Sequence, residues 1–232
     1  MRAADVLARA GALFLDFDGP VCSVFAGIPA STVADQLRGV LADGGYTDLP
    51  EAVATSDDPF DVFCYAATLG EDEARYVEAT FTAHEIEAIS SATLTEGAHE
   101  LIHVWHDSGR PIAIVSNNST TAINTYLDLY DLRALIDYVS ARNSPDAGLL
   151  KPSPYLLYRG AAELGVTPDK CAFIGDSITD IDAARAAGVQ SIGFANKRGK
   201  RAKFAAAEVD AITDEITGLA THLIETRRTD LR

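Results

Sequence analysis

The sequence predicts an α/β protein: a doubly wound parallel sheet that carries an inserted block of helices. Three observations predict it. Five short runs, residues 12–17, 111–116, 136–140, 171–175 and 191–195, are almost continuously apolar. That is the pattern of strands buried on both faces. Helical patterns separate the later runs, so strand and helix alternate from about residue 95 to residue 220. Between residues 19 and 93 the alternation stops, no buried strand stands out, and the apolar spacing is helical.

In chain order, residues 1–11 form an amphipathic turn that feeds the first strand. The stretch is not expected to be a signal peptide, because the apolar residues run straight into Asp16 and Asp18 and no small-residue cleavage site follows. Within the insertion, residues 33–42 and 71–89 have helical periodicity, and Gly44-Gly45 and Asp57-Asp58-Pro59 mark loops. Helices over 96–108, 154–164 and 177–187 stop at Gly109, Gly165 and Gly188, and another covers 121–130. A glycine just past a helix supplies the left-handed residue that closes it. The division is therefore a core of residues 1–18 and 94–232 and a helical insertion of residues 19–93. The charged segment 225–232 is expected to fray.

The chain has 232 residues, 47% of them hydrophobic, which is enough to bury a sizeable core. Nineteen basic against thirty-four acidic side chains leave a formal charge of −15. Such a surface repels phosphate backbones and anionic bilayers, so no nucleic-acid or membrane partner is expected. No apolar run is long enough to span a bilayer. Cys22, Cys64 and Cys171 are odd in number and far apart, which argues against a disulfide framework and for a reducing cytoplasm. No heptad or exposed apolar stripe stands out, so a monomer or a weak homodimer is expected.

Ligands of an open parallel sheet bind beyond the carboxyl ends of its strands. The first strand ends in Asp16-Phe17-Asp18-Gly19 and the second in Ser116-Asn117-Asn118-Ser119. Lys151-Pro152 precedes a later helix, and the fourth strand ends in Gly175-Asp176-Ser177-Ile178-Thr179-Asp180. Singly, each has a plain explanation. Asp16 and Asp18 can end a strand, Lys151 can be a solvated lysine, and Ser177 with Asp180 has the spacing of a capping box. Together they bring carboxylates, hydroxyls, amides and an ammonium to one rim, a set that suits a divalent cation and a phosphate.

In these motifs, DFDGP, IVSNNS, LLKPSP and IGDSITDIDAA, the chain resembles the haloacid dehalogenase-like superfamily in its phosphatase branch, of phosphoglycolate phosphatase type. The resemblance covers the whole chain, and the insertion looks like a C1-type cap over a Rossmann-like core. It implies that Asp16 is the nucleophile and Asp18 the general acid and base. It implies that Ser116 and Lys151, with backbone N–H groups near Asn117, hold the phosphate oxygens. Asp16, the Asp18 carbonyl and Asp176 would bind Mg²⁺, with Asp180 either a further ligand or an orienting neighbour. The implied activity is hydrolysis of a small-molecule phosphate monoester through an aspartyl-phosphate; a phosphosugar mutase or a non-catalytic phosphate-binding descendant is the alternative.

Asp18 argues against dehalogenation, and the lack of any lysine before Lys151 excludes a cap Schiff base. A mutase needs basic cap residues, for which only Arg38 and Arg75 are available. Thirteen Asp and Glu in residues 19–93 suit a neutral, polar or cationic organic part, unless they all face solvent. Pro20 departs from the family's usual Thr or Val and bears on the hinge into the cap. His99, His103 and His106 share a helix face that could bind a metal or simply pack beside Trp105. Cys22 is either a thiol close to the site or a small packing residue. The basic stretch 197–203 could reach a substrate anion or simply begin a solvated helix.

Overall fold

The protein is described here by a computed structural model covering residues 1–230, with side chains to residue 225. Helix α1 (Ala3–Arg9) precedes β1 (Ala12–Leu15). A two-residue strand, β2 (Cys22–Ser23), opens the insertion. Helices α2 (Ala30–Asp43), α3 (Glu51–Ala54), α4 (Pro59–Leu69) and α5 (Glu71–Ile89) fill it. Strand β3 (Thr93–Leu94) pairs antiparallel with β2 and closes it. Then follow α6 (Ala98–Asp107), β4 (Ile112–Ser119), α7 (Thr120–Leu129), β5 (Tyr138–Arg142) and α8 (Tyr155–Glu163). The chain ends with β6 (Cys171–Gly175), α9 (Ile178–Ala187), β7 (Gln190–Phe194), α10 (Lys200–Ala206), β8 (Ala211–Thr213) and α11 (Thr217–Asp230).

Six strands form one parallel sheet in the order β5-β4-β1-β6-β7-β8. Leu13 of β1 lies opposite Ile112 of β4 on one side, and Ala12 lies opposite Cys171 of β6 on the other. The chain adds β4 and β5 beside β1, then returns to build β6, β7 and β8 on the far side. This reversal sets the carboxyl ends of β1, β4 and β6 side by side, where open α/β sheets receive ligands.

Alternation along β1 feeds two apolar cores. Leu13 and Leu15 join Trp105, Tyr126 and the helices α1, α6, α7 and α11. Ala12 and Phe14 join Leu157, Phe173 and Ala184 of the opposite face. Val33, Leu37, Phe63, Val77 and Phe81 of the inserted helices belong to that second core. The insertion is therefore packed continuously with one face of the sheet.

Several local expectations are corrected. The amphipathic turn at the start is helix α1, with Val6 and Leu7 buried. The loop expected at Asp57-Asp58-Pro59 opens α4: Asp58 caps it, accepting from Phe60 N at 2.9 Å, and Pro59 is its first residue. Residues 19–93 contain no buried strand, as expected, but two-residue strands, β2 and β3, flank the inserted helices. The sheet also has a sixth strand, β8, whose three residues are too few and too exposed to form an apolar run. Residues 226–232, most of the segment expected to fray, lie beyond the described side chains.

Candidate active site

β1 delivers Asp16 to the rim. Its N–H donates to Ile174 O at 2.9 Å, so the ladder with β6 extends one residue past the strand. The chain then turns sharply: Phe17 O accepts from Val21 N at 3.2 Å and from Cys22 N at 3.1 Å. Gly19 has φ +111°, and a Cβ there would sit 2.5 Å from Asp176 Oδ2. Only glycine allows that backbone and that approach. The turn closes without a donor at position 20, which is why Pro20 fits. Asp16 is buried and Asp18 half-buried, and Asp18 Oδ1 accepts from Val24 N at 2.9 Å.

β4 delivers Ser116, Asn117 and Asn118. Its pairing with β5 shifts between Ser116 and Ser119, so Asn117 and Asn118 bulge out of the ladder. Ser116 Oγ donates to Asn118 Oδ1 at 3.1 Å. The Asn117 amide brackets the backbone of Lys151: Lys151 N donates to Asn117 Oδ1 at 2.8 Å, and Asn117 Nδ2 donates to Lys151 O at 3.0 Å. The Asn117 side chain thus positions Lys151.

Lys151 Nζ lies 2.9 Å from Asp16 Oδ1 and 2.6 Å from Asp180 Oδ1, and it donates to Val115 O at 3.2 Å. Asp180 also starts α9: its Oδ2 accepts from Asp176 N at 3.0 Å and from Ser177 N at 2.9 Å, within a capping box. The Asp176 carboxylate accepts from Asn196 Nδ2 at 3.0 Å and is ion-paired with Lys200. The basic stretch after β7 is therefore more than a solvated helix start, because one of its lysines reaches the site.

Burial, reinforced by Asp180, pushes the Asp16 carboxyl up, and Lys151 opposes the shift. For Lys151 burial works downward, but Asp16 and Asp180 outweigh it and leave the ammonium favoured. Burial raises Asp18 to about 6, while its bond from Val24 N works the other way. Carboxylate oxygens of Asp16, Asp176 and Asp180 lie within 4.8 Å of one another. Such a cluster of hard anionic donors could hold a divalent cation such as Mg²⁺. It is the sole group of three or more potential metal ligands among the described residues, so His99, His103 and His106 do not form one. His99 Nε2 instead meets Tyr126 OH at 2.9 Å. Cys22 is fully buried, and burial and then Asp18 and Asp16 push its thiol up, so it packs as a neutral group.

Asp16, Asp18, Ser116, Asn117, Lys151, Asp176 and Asp180 all line one cavity of about 350 Å³. From the inserted helices, Asp58, Phe60, Asp61 and Cys64 line it too. Sequence reasoning missed these four, although Asp58-Pro59 is a helix-start signal. Asn196 was also missed, and nothing in its local sequence marks it; Lys200 lies in the basic stretch that could reach an anion, and it pairs with Asp176.

The family model for haloacid dehalogenase-like hydrolases matches residues 11–188. The chain belongs to this family. A phosphoglycolate phosphatase of Salmonella typhi is 29% identical over 150 residues, which cover 64% of this chain and 59% of the relative. One of Escherichia coli (strain K12) is 34% identical over 86 residues, 37% of this chain and 33% of the relative. The matched stretch is thus less than two thirds of the length of these relatives. Among solved structures, CbbY from Rhodobacter sphaeroides in complex with phosphate has a TM-score of 0.67 at 17% identity, covering 90% of this chain and 96% of that one. A HAD-superfamily hydrolase from Ehrlichia chaffeensis has a TM-score of 0.58 at 19% identity, covering 94% and 97%. At these identities the structural likeness speaks for the haloacid dehalogenase-like fold.

Proposed function

We propose that this chain is a Mg²⁺-dependent phosphatase that hydrolyses small phosphate monoesters through a phosphoryl group carried on Asp16. The observation that supports it best is the convergence of Asp16, Asp18, Ser116, Asn117, Lys151, Asp176 and Asp180 on one cavity. The Asp16 carboxylate attacks phosphorus, and the bond from phosphorus to the ester oxygen breaks as Asp18 gives that oxygen its proton. Asp18, now a carboxylate, takes a proton from water, whose oxygen attacks the same phosphorus and frees Asp16 and inorganic phosphate. Lys151, Ser116 and the backbone N–H groups about Asn117 hold the oxygens that do not react. Asp16, Asp176 and the Asp18 carbonyl would hold Mg²⁺, which would supply the positive charge that lets an anionic nucleophile meet an anionic ester. Asp180 orients Lys151 and the start of α9.

In this reading residues 19–93 act as a cap over a core of residues 1–18 and 94–232, and the cavity they share admits a small phosphorylated metabolite. The cap's two basic residues are engaged away from it. Arg38 donates to Val53 O at 3.0 Å and to Ser56 O at 2.8 Å, and the exposed Arg75 lies 3.5 Å from Asp72. Asp58 and Asp61 face the cavity instead. This favours one phosphate over two, hydrolysis over mutase chemistry, and an organic part that is neutral, polar or cationic. Three free cysteines agree with a reducing cytoplasm, and among the described residues no helix is long and apolar enough to cross a membrane.

The test is hydrolysis of p-nitrophenyl phosphate and a panel of small phosphate esters, with Mg²⁺ and with chelator. Turnover is expected only with the cation, and Asp16→Asn is expected to lower it by about 1,000-fold or more. Undiminished turnover in Asp16→Asn would remove the nucleophile, and phosphate binding without turnover on any ester would leave a binding protein.

A further inference from the structure

The bulge at Asn117 and Asn118 leaves the phosphate-facing loop without the ladder that would normally hold it. A buried ion pair takes the ladder's place. Glu85, on the inserted helix α5, and Arg142, the last residue of β5, have no exposed side-chain surface and meet at 2.5 Å. Arg142 Nε donates to Asn117 O at 3.1 Å. Glu85 Oε1 accepts from Asn118 Nδ2 at 2.9 Å, and Glu85 Oε2 accepts from Ser119 N at 3.0 Å. Three consecutive loop residues are gripped in this way, one by its carbonyl, one by its amide side chain and one by its N–H.

The remaining capacity of the guanidinium goes to the same helix. Arg142 Nη1 donates to Glu78 Oε1 at 2.5 Å and to Thr82 Oγ1 at 3.2 Å, and its Cζ lies 4.7 Å from the centre of the Phe81 ring. Taking two charges out of water is costly unless their hydrogen bonds are complete, and here they are completed by the loop. From the loop the grip reaches the two groups assigned to the phosphate. Asn118 holds Ser116, and Asn117 holds the backbone of Lys151.

We propose that Glu85 and Arg142 are positioning residues: their ion pair shapes the loop 116–119 for the transferred group and makes that shape depend on where helix α5 sits. The proposal rests on the phosphatase reading of Ser116 and Lys151. Neither side chain lines the cavity, so both act through the loop.

The experiment measures binding of inorganic phosphate to the full chain by calorimetry, with Mg²⁺ present, beside kcat and KM for p-nitrophenyl phosphate. Glu85→Gln keeps the size of the side chain and removes its charge. It is expected to weaken phosphate about tenfold and to lower kcat by a similar factor. Arg142→Lys keeps the charge and loses the fork, and is expected to behave alike. Leu37→Ala, a cavity in the apolar core of the inserted helices, lowers the unfolding midpoint without touching the loop. It is expected to bind phosphate as the parent does. Phosphate affinity within twofold of the parent in Glu85→Gln or Arg142→Lys would make the pair structural only, as would equal losses in Leu37→Ala. Glu78→Gln, whose side chain is 21% exposed, guards against failure to fold. It is expected to weaken phosphate about threefold, and an unchanged affinity there would also overturn the proposal. If the parent binds phosphate yet turns over no ester, the phosphatase reading fails while the positioning claim is still decided by the binding series.

Discussion

Gly19 shows how closely a single residue controls the candidate site. Its φ of +111° and its approach to Asp176 leave no room for a Cβ. Gly19→Ala is expected to push the Asp176 carboxylate out of place and to lower kcat/KM by about 100-fold, as displacement of a reacting group by an ångström does. A change of less than about threefold would show that the turn relaxes freely. Asp18 carries a pH prediction. Its carboxyl is held up to about 6, chiefly by burial. Departure of an alkoxide needs the protonated acid, whose share falls about tenfold per pH unit above that value. For an alkyl phosphate, kcat/KM is expected to decline as pH rises over about two units above the Asp18 value. For p-nitrophenyl phosphate, whose leaving group needs no proton, the profile is expected to stay flat there. Parallel profiles would remove Asp18 from the acid role.

At the scale of elements, α4 joins stability to the cavity. Asp58 caps the helix through Phe60 N and also lines the cavity. Asp58→Ala is expected to cost about 1 kcal/mol in urea unfolding, and Asp58→Ser to restore most of it. Loss of ester hydrolysis with stability intact in Asp58→Ser would show that the carboxylate serves the substrate instead. This helix was hidden in the sequence because it is apolar nearly all round, with only Asp61 and Thr68 clearly polar, so no helical stripe stands out, and because its start looks like a loop. By contrast, α5 was legible end to end, since residues 71–89 carry just over five turns of one pattern. The four central strands were legible because burial on both faces makes their runs continuous, and the edge strand β5 was found two residues early, as the run 136–140. Strand β8 was not, because a three-residue edge leaves no such run.

For the whole molecule, the meeting of strand ends could be foreseen, since parallel topology aligns them whatever the helices do. The ion pair of Glu85 and Arg142 could not. Its members are 57 residues apart, and in sequence Glu85 is one acid among thirteen in the insertion. Burial alone sets it apart, and burial is a property of the assembled layers. Lys200 lies in a basic stretch marked as able to reach an anion, but its pairing with Asp176 arises only where α10 begins beside the end of β6.

In the proposed reading, that last contact bears on how the protein would stand without the cation. Asp16, Asp18, Asp176 and Asp180 crowd together, yet Lys151 and Lys200 already neutralise part of their charge from within. Chelation is therefore expected to cost little beyond the ordinary linkage, about 1.4 kcal/mol for an ion present at tenfold its Kd. A stripped sample should melt cooperatively, a few degrees lower, and regain turnover when the ion is restored. Lys200 would serve as a tethered counter-ion that lets the empty protein wait intact.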